Sequence, residues 1–197
     1  GGYVRTIEVP AGWKGHRVKL RCDEISSAAV IWLNGNEVGR HVGHFIAFEV
    51  DLTDHVRFGS ENTLAILSRQ DSIARRMSGY ALHVGGGITR GIRLLFLPAV
   101  NVAMLHANPT LDDRYENATL DVDIMLANEG AADAEEAELH FELTDPRGRS
   151  VAFEPRETGS VSVPVGATVH RRISLDVPKP ALWEAEHPNL YRLTALL

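Results

Sequence analysis

The chain has 197 residues, of which 44% are hydrophobic and 23% charged, and its formal net charge is −6. This length fits one large domain or two sandwiches of about 100 residues each, and the composition is that of a folded globular protein. The acidic balance and the scattered basic residues argue against a nucleic-acid or anionic-membrane partner, and no apolar run approaches the roughly 20 residues of a membrane span.

The first half of the chain predicts short β strands, because apolar residues recur with a period of two and helical periodicity is absent. The predicted strands are 3–9, 17–22, 28–33, 45–50, 63–68 and 92–97. Asn34-Gly35 follows an apolar strand and predicts a tight hairpin into residues 36–40. Both faces of residues 28–33 are apolar, which is typical of a strand covered on both sides in a sandwich.

The succession of short alternating strands stops at residues 69–87, a long segment of mixed polar and apolar residues without a regular period. A loop of this length in a compact domain is usually functional. The stretch 85–98, GGGITRGIRLLFLP, then leads into a strand that ends at Pro98. Its glycines permit positive φ and close backbone approach. They precede a strand and not a helix, which argues against a phosphate-binding loop. We place a domain boundary at Pro98.

The second half predicts an immunoglobulin-like sandwich, since strands alternate with hairpin turns every 8 to 15 residues. The predicted strands are 120–126, 138–144, 173–177 and 190–196. The only cysteine, Cys22, cannot form an internal disulfide and lies in an alternating strand, so we expect a small buried apolar residue. An antibody-type domain with an intersheet disulfide is therefore not expected.

Several residue types that can carry chemistry have simpler structural explanations. His41 and His44 have a metal-ligand spacing, but on a strand they point to opposite faces, and we predict no metal site. Trp32 and Trp183 are expected in the core or between domains. Trp13, after a turn, is expected to be exposed.

The motifs, read in order, resemble glycoside hydrolase family 2, which includes β-galactosidases, β-glucuronidases and β-mannosidases. The family's sugar-binding domain has a W-x-N-G-x-x-V-G turn, a strand that leads into acidic-x-Thr, and a GGI-x-R loop. The matching residues are Trp32, Asn34, Gly35, Val38, Gly39, Phe48, Asp51, Thr53, Gly86, Gly87, Ile88 and Arg90. The C-terminal stretch resembles the end of the family's immunoglobulin-like domain at Pro180, Leu182, Trp183, Glu186, Pro188, Leu190 and Tyr191.

This resemblance implies an all-β fold: a truncated, galactose-binding-like jelly-roll domain over residues 1–98 that lacks its N-terminal strands, then an immunoglobulin-like β-sandwich over 99–197 that lacks its last strand. The family's catalytic TIM barrel would follow and is the expected partner. Retaining hydrolysis there needs two glutamates about 5 Å apart. We therefore expect no catalytic residue and no cofactor in this segment, although relatives bind Mg or Na ions and often form homo-oligomers.

The resemblance also indicates which residues would contact a carbohydrate. The loop before the GGI motif offers Asp71 and His83, and Arg90 could bind a hydroxyl or carboxylate bidentately. Without gaps, however, the family's acidic position falls on Ala81, so Asp71 requires an insertion or deletion. An ordinary surface loop is the alternative for this segment, and Arg90 could instead hold the loop by bonding neighbouring carbonyls.

Two other functions fit the sequence at this point: a free-standing carbohydrate-binding module and a structural tandem β-sandwich. Arginine greatly exceeds lysine, which favours a bacterial source, and localisation stays open between cytoplasmic and exported.

Overall fold

A computed structural model of the chain describes residues 1–70, 73, 77, 85–153 and 157–197. Its regular structure is a set of antiparallel β strands, which confirms the predicted all-β class. The strands form two units, unit 1 (Gly1–Pro98) and unit 2 (Ala99–Leu197). Within the described residues, we find no helix with the length and hydropathy needed to cross a membrane.

The described residues of unit 1 form a two-sheet sandwich of eight strands. These are β1 (Gly2–Val9), β2 (Arg17–Cys22), β3 (Ile25–Leu33), β4 (Asn36–Gly43), β5 (Phe48–Asp51), β6 (Ser60–Arg69), β7 (Gly87–Ile88) and β8 (Ile92–Leu97), with 3-10 helices at Ala11–Trp13 and Thr53–His55. One sheet has the order β1-β6-β3-β4, with β7 also paired to β3, and the other has the order β5-β2-β8. This is the jelly-roll-type sandwich expected for this half of the chain.

Strand β3 shows how the sequence pattern produces the core of unit 1. Ile31 and Leu33 are fully buried between the sheets, while Trp32 on the opposite face is half-buried. The strand turns back at Asn34-Gly35, where φ is 52° and 85°. Positive φ at both central residues is what a two-residue hairpin requires, so the predicted hairpin is confirmed.

Close packing against the facing sheet favours glycine at position 39, the second glycine of the W-x-N-G-x-x-V-G motif. It lies on β4 opposite Val50 of β5, and a Cβ built on Gly39 would lie 2.8 Å from both methyl groups of Val50. Carbon atoms in van der Waals contact stay about 3.5 to 4.0 Å apart. A side chain at position 39 would therefore push the two sheets apart or displace Val50, which is only 6% exposed.

A buried asparagine, Asn62, forms hydrogen bonds to the hairpin turn at Asn34 and to the turn that precedes β6. Asn62 is 1% exposed, and its Oδ1 accepts the Arg57 N–H and an N–H of the Asn34 amide, both at 2.8 Å. Its Nδ2 donates to the carbonyls of Arg57, at 2.9 Å, and Ser60, at 3.0 Å. The amide thus satisfies its own polar atoms by bonding the segment just before it and the Asn34 turn, as a buried polar group must.

The lone cysteine is buried in the core, as predicted. Burial raises the pKa of the Cys22 thiol from 9.0 to about 11. Because only the thiolate reacts, we expect iodoacetamide at pH 8 to leave the folded chain unmodified and to label it once urea unfolds it. The raised pKa adds stability that is present below about pH 9 and is lost as pH rises toward 11. Rapid labelling under native conditions, followed by mass spectrometry, would contradict this assignment.

Unit 2 is a second sandwich, built from two three-stranded sheets. Its strands are β9 (Val100–Leu111), β10 (Asn117–Asn128), β11 (Ala134–Thr144), β12 (Glu157–Val163), β13 (Thr168–Pro178) and β14 (Arg192–Leu196). The sheet orders are β13-β10-β9 and β12-β11-β14. Between them lies an apolar core to which β10 contributes Val122, Ile124 and Leu126, in agreement with the immunoglobulin-like prediction.

Some strand predictions were wrong. The strand expected at 45–50 begins at Phe48, and Phe45, whose φ is 62°, lies in the loop between β4 and β5. Strand β9 escaped prediction because most of its residues are exposed and the apolar alternation is lost.

Two tryptophans also differ from expectation. Trp13 is half-buried and stacks on Phe96 with ring centroids 4.9 Å apart, so it is not an exposed platform. Trp183 is 62% exposed and lies outside the core of unit 2, so of its two expected places the core is excluded, and packing between domains stays a prediction.

Candidate functional site

Buried polar side chains in unit 1 concentrate at one end of the sandwich. Among the described residues of this unit, the buried polar ones are Glu24, Ser26, Ser27, Asn62 and Ser68. All but Asn62 lie at the start of β3 or the end of β6, and the Ser68 hydroxyl is 3.5 Å from the Ser26 carbonyl oxygen. Burying polar groups costs free energy unless they are paired. We call this region, with Arg90, the polar end of unit 1 and treat it as the candidate site.

The polar end lies where one edge of β3 changes its pairing partner. Ser27 has φ of 76°, and Ile25, Ser26 and Ser27 are all buried, which interrupts the strand's alternation. Residues 25 and 26 pair with β7, whereas the pairing with β6 begins at Ala28. The strand therefore changes partner at Ser27. A positive φ at a serine is strained, and such positions cluster at functional sites.

Glu24 connects three chain segments at the polar end. It is 5% exposed, its Oε1 accepts the Phe45 N–H at 3.0 Å, and its Oε2 is 3.4 Å from Arg90 Nε. A buried carboxylate needs both a cation and hydrogen-bond donors. Arg90 therefore pairs with a buried carboxylate of another segment, and the alternative that it also bonds neighbouring loop carbonyls stays a prediction.

The glycines before Arg90 are required by close packing. A Cβ on Gly86 would lie 1.4 Å from Nε2 of Gln70, and one on Gly87 would lie 2.4 Å from the Tyr3 hydroxyl oxygen. Gly87 also has φ of 93°. The left-handed φ favours glycine at position 87, whereas a side chain at position 86 would require the Gln70 side chain to move.

Further charges at the polar end are paired. The Arg93 guanidinium, which forms an ion pair with Asp23, holds the pKa of that carboxyl below its usual range, and Arg21 adds a weaker contribution. Arg21 also donates to Glu49 at 2.9 Å. Arg90 and Glu24 form a further contact of this kind, so each of these three arginines lies beside a carboxylate.

The two histidines of the RHVGH stretch occupy separate environments. His41 stacks on Phe48 with ring centroids 3.9 Å apart, and burial lowers its pKa. His44 Nδ1 lies 3.0 Å from the Ser26 hydroxyl oxygen. No group of three or more His, Cys, Asp or Glu residues that could hold a metal occurs in the described part of the chain.

The residues predicted to bind carbohydrate are only partly visible. Asp71 and His83 lie outside the described residues. Arg90 lies at the polar end and is 62% exposed, and its contact with a sugar stays a prediction. Sequence analysis missed Glu24 and Phe45: Asp23-Glu24 reads as an ordinary polar turn, and Phe45 reads as a strand residue. No pattern in the sequence marks one of two adjacent acidic residues as buried.

Comparisons with known proteins match each unit to a described domain. Residues 1–98 match the family model "Glycosyl hydrolases family 2, sugar binding domain", and residues 100–197 match "Glycosyl hydrolases family 2". The first match ends at the last residue of unit 1, and the second begins at the second residue of unit 2.

Similar sequences and structures belong to much larger enzymes. The chain is 31% identical to a β-galactosidase of Priestia megaterium over 100% of its own length and 19% of that protein's. It is 30% identical to a β-glucuronidase of Bacteroides fragilis, covering 29% of that protein. A family 2 glycosyl hydrolase structure from Bacteroides cellulosilyticus superposes with a TM-score of 0.85 at 25% identity, over 98% of this chain and 26% of the other.

Proposed function

Because the chain belongs to glycosyl hydrolase family 2, we propose that it acts as the non-catalytic N-terminal region of a glycosidase. The proposal rests on how much of each protein is matched. The two domain models account for almost the whole chain, yet the chain spans only 19% of the first β-galactosidase that it matches. Hydrolysis would take place in a catalytic domain outside these residues.

The proposed substrate is a terminal β-linked sugar, most plainly a β-galactoside. Five of the matched relatives at 30% identity or more are named β-galactosidases and one is named a β-glucuronidase. The proposed chemistry is retaining hydrolysis, in which a nucleophilic carboxylate forms a glycosyl-enzyme intermediate and a second carboxyl group acts first as acid and then as base. Neither carboxylate is assigned to this chain.

The role of the chain itself would be to position and enclose substrate. We propose that it needs no cofactor of its own, that its partners are a carbohydrate and the parent's catalytic barrel, and that the parent forms a homo-oligomer. Any Mg or Na ion used by the parent would bind elsewhere.

A groove in unit 1 supports the proposal that its jelly roll is truncated. Among the described residues, β1 pairs only with β6 and β8 only with β2. Between these two free edges lies a groove of about 710 Å³, lined in part by Ile7, Leu20 and Ile66. Unpaired strand edges beside apolar surface are a liability that complete sheets avoid. We propose that further strands of the parent protein complete the sandwich here.

The decisive test compares this chain with its parent. We expect the 197-residue chain to show no turnover of nitrophenyl β-galactoside, because the proposal places no catalytic carboxylate in it. The parent reading frame is expected to contain about 300 further residues of alternating strands and helices with two glutamates at strand ends, and to hydrolyse the same substrate. Turnover by residues 1–197 alone, or a parent frame without a barrel, would refute the proposed function.

A further inference from the structure

Asn34-Gly35 is the only Asn-Gly pair in the chain, and this dipeptide can modify itself. The backbone nitrogen of the glycine can attack the side-chain carbonyl carbon of the asparagine, because glycine has no side chain to hinder the approach. A C–N bond forms, and the amide group leaves as ammonia with the proton of the glycine nitrogen. Water then opens the succinimide ring at either carbonyl and gives aspartate or isoaspartate.

Burial does not protect the pair from this reaction. Gly35 is exposed and Asn34 is half-buried, and a Cβ on Gly35 would meet nothing within 4 Å. Water and the base that removes the glycine proton can therefore reach the turn. Protection has to come from the conformation of the two residues.

The turn holds the two reacting atoms apart. Asn34 has φ of 52° and is the first of the two residues that join the paired positions Leu33 and Asn36. In the left-handed region ψ is about +47°, which for an L residue places Cβ nearly opposite the following nitrogen across the Cα–C bond. Closing the five-membered ring requires Cβ and that nitrogen on the same side. Asn34 must therefore leave the left-handed region before it can react.

Four hydrogen bonds hold Asn34 in this arrangement. Its Nδ2 donates to the His55 carbonyl oxygen at 2.9 Å and to Asn62 Oδ1 at 2.8 Å. Its Oδ1 accepts the Thr63 N–H at 3.0 Å, and its backbone N–H donates to the Thr63 carbonyl oxygen at 2.9 Å. We call these four bonds the Asn34 clamp. Turning the amide toward Gly35 would break the bonds that the side chain makes.

We propose that Asn34-Gly35 is a latent deamidation site that the Asn34 clamp keeps unreactive, and that one deamidation event prevents the clamp from closing again. The product has a carboxylate oxygen in place of the Nδ2 donor. That oxygen would face two acceptors, the His55 carbonyl and Asn62 Oδ1, without a proton between them. The inference goes beyond the proposed function and holds whether or not the parent protein is a glycosidase.

The first test compares the folded and the unfolded chain. The 197-residue chain is incubated at pH 8 with and without denaturing guanidinium chloride, and peptide mass spectrometry measures the conversion of Asn34 to aspartate and isoaspartate. We expect conversion to be about a hundredfold slower in the folded chain, because the reaction then requires an opening of the structure. Equal rates would overturn the proposal, and so would an unreactive Asn34 in the unfolded chain.

The second test assigns the protection to the clamp. Asn62→Ala removes one acceptor of the clamp, and we expect Asn34 to convert about tenfold faster than in the wild type, as the loss of one hydrogen bond predicts. Gly39→Ala is the matched control, since it disturbs the packing against Val50 and none of the clamp bonds. If both variants accelerate conversion only as much as their unfolded fractions rise, global unfolding controls the reaction and the clamp assignment fails.

A measurement on the wild type covers the case in which Asn62→Ala does not fold. The Thr63 N–H belongs to the clamp, so its hydrogen exchange and the conversion of Asn34 should accelerate in parallel as guanidinium chloride is raised toward the unfolding transition. Conversion that follows the slowest-exchanging amides of β3 and β6 instead would overturn the proposal.

The third test addresses the product. Asn34→Asp is the aspartate product itself, and we expect its urea unfolding midpoint to fall below that of the wild type, because the carboxylate cannot donate to the two acceptors. Asn36→Asp is the control, since Asn36 is exposed and the change in charge is the same. Equal midpoints for the two variants would refute the claim that deamidation keeps the clamp open.

Discussion

Asn62→Ala is expected to destabilise unit 1 by about 3 kcal/mol, because truncation leaves several buried backbone and amide groups without partners. The side chain is 1% exposed, and its bonds reach Arg57, Ser60 and Asn34. Water cannot readily replace it at a site this enclosed. Urea unfolding followed by tryptophan fluorescence measures the loss, since Trp13 and Trp32 lie in unit 1.

Two further variants make this prediction specific. Asn62→Asp preserves the acceptor but turns a second oxygen toward the carbonyls of Arg57 and Ser60, so we expect it to be at least as damaging at neutral pH. Asn36→Ala removes an exposed asparagine of the same unit and should change stability by less than about 0.5 kcal/mol. Equal effects of Asn62→Ala and Asn36→Ala would show that the buried network does not stabilise the unit.

Gly39→Ala is expected to cost about 2 kcal/mol, because the new methyl group would overlap both methyl groups of Val50 across the sandwich. Alanine has the better intrinsic strand geometry, so backbone preference alone predicts the opposite sign. The free energy of unfolding from urea titration distinguishes the two expectations. Gly12→Ala is the control: a Cβ there meets nothing within 4 Å, and we expect a near-neutral effect.

A double-mutant cycle locates the cause of the Gly39 effect. Val50→Ala alone should destabilise by leaving a cavity in the core. Combined with Gly39→Ala, it removes the steric overlap, so the double variant should be more stable than the sum of the single effects by about 1 kcal/mol. Simple additivity would mean that Val50 is not what excludes a side chain at position 39.

Much of this fold follows from local sequence. Alternation located β2 and β8 to the residue, and Asn34-Gly35 fixed the hairpin between β3 and β4. These features depend on side-chain period and turn chemistry, which are properties of adjacent residues. Strand β9 was missed because most of its residues are exposed. Its sequence therefore lacks the apolar alternation that predicts a strand, although its backbone pairs with β10.

The candidate site was far less accessible to prediction. Motif resemblance selected Gly39 and Arg90, but their contacts are with Val50 on β5 and with Glu24 in the turn before β3, both distant in sequence. Ser27, where β3 changes partner, has a positive φ, and a serine in this conformation has no sequence signature. A site built by convergence of β3, the loop after β4 and the GGI loop becomes visible only when the strands are placed together.

The partner change in β3 has a consequence for how this family can diversify. Arg69, the last residue of β6, pairs with Ala28, and Gly87, the first of β7, pairs with Ser26. The two ends of the intervening segment are thus paired two residues apart on one strand. Lengthening a loop between fixed anchors adds little closure entropy. Insertions and deletions between positions 69 and 87 should therefore be tolerated during evolution, which lets recognition chemistry vary while the sandwich stays the same.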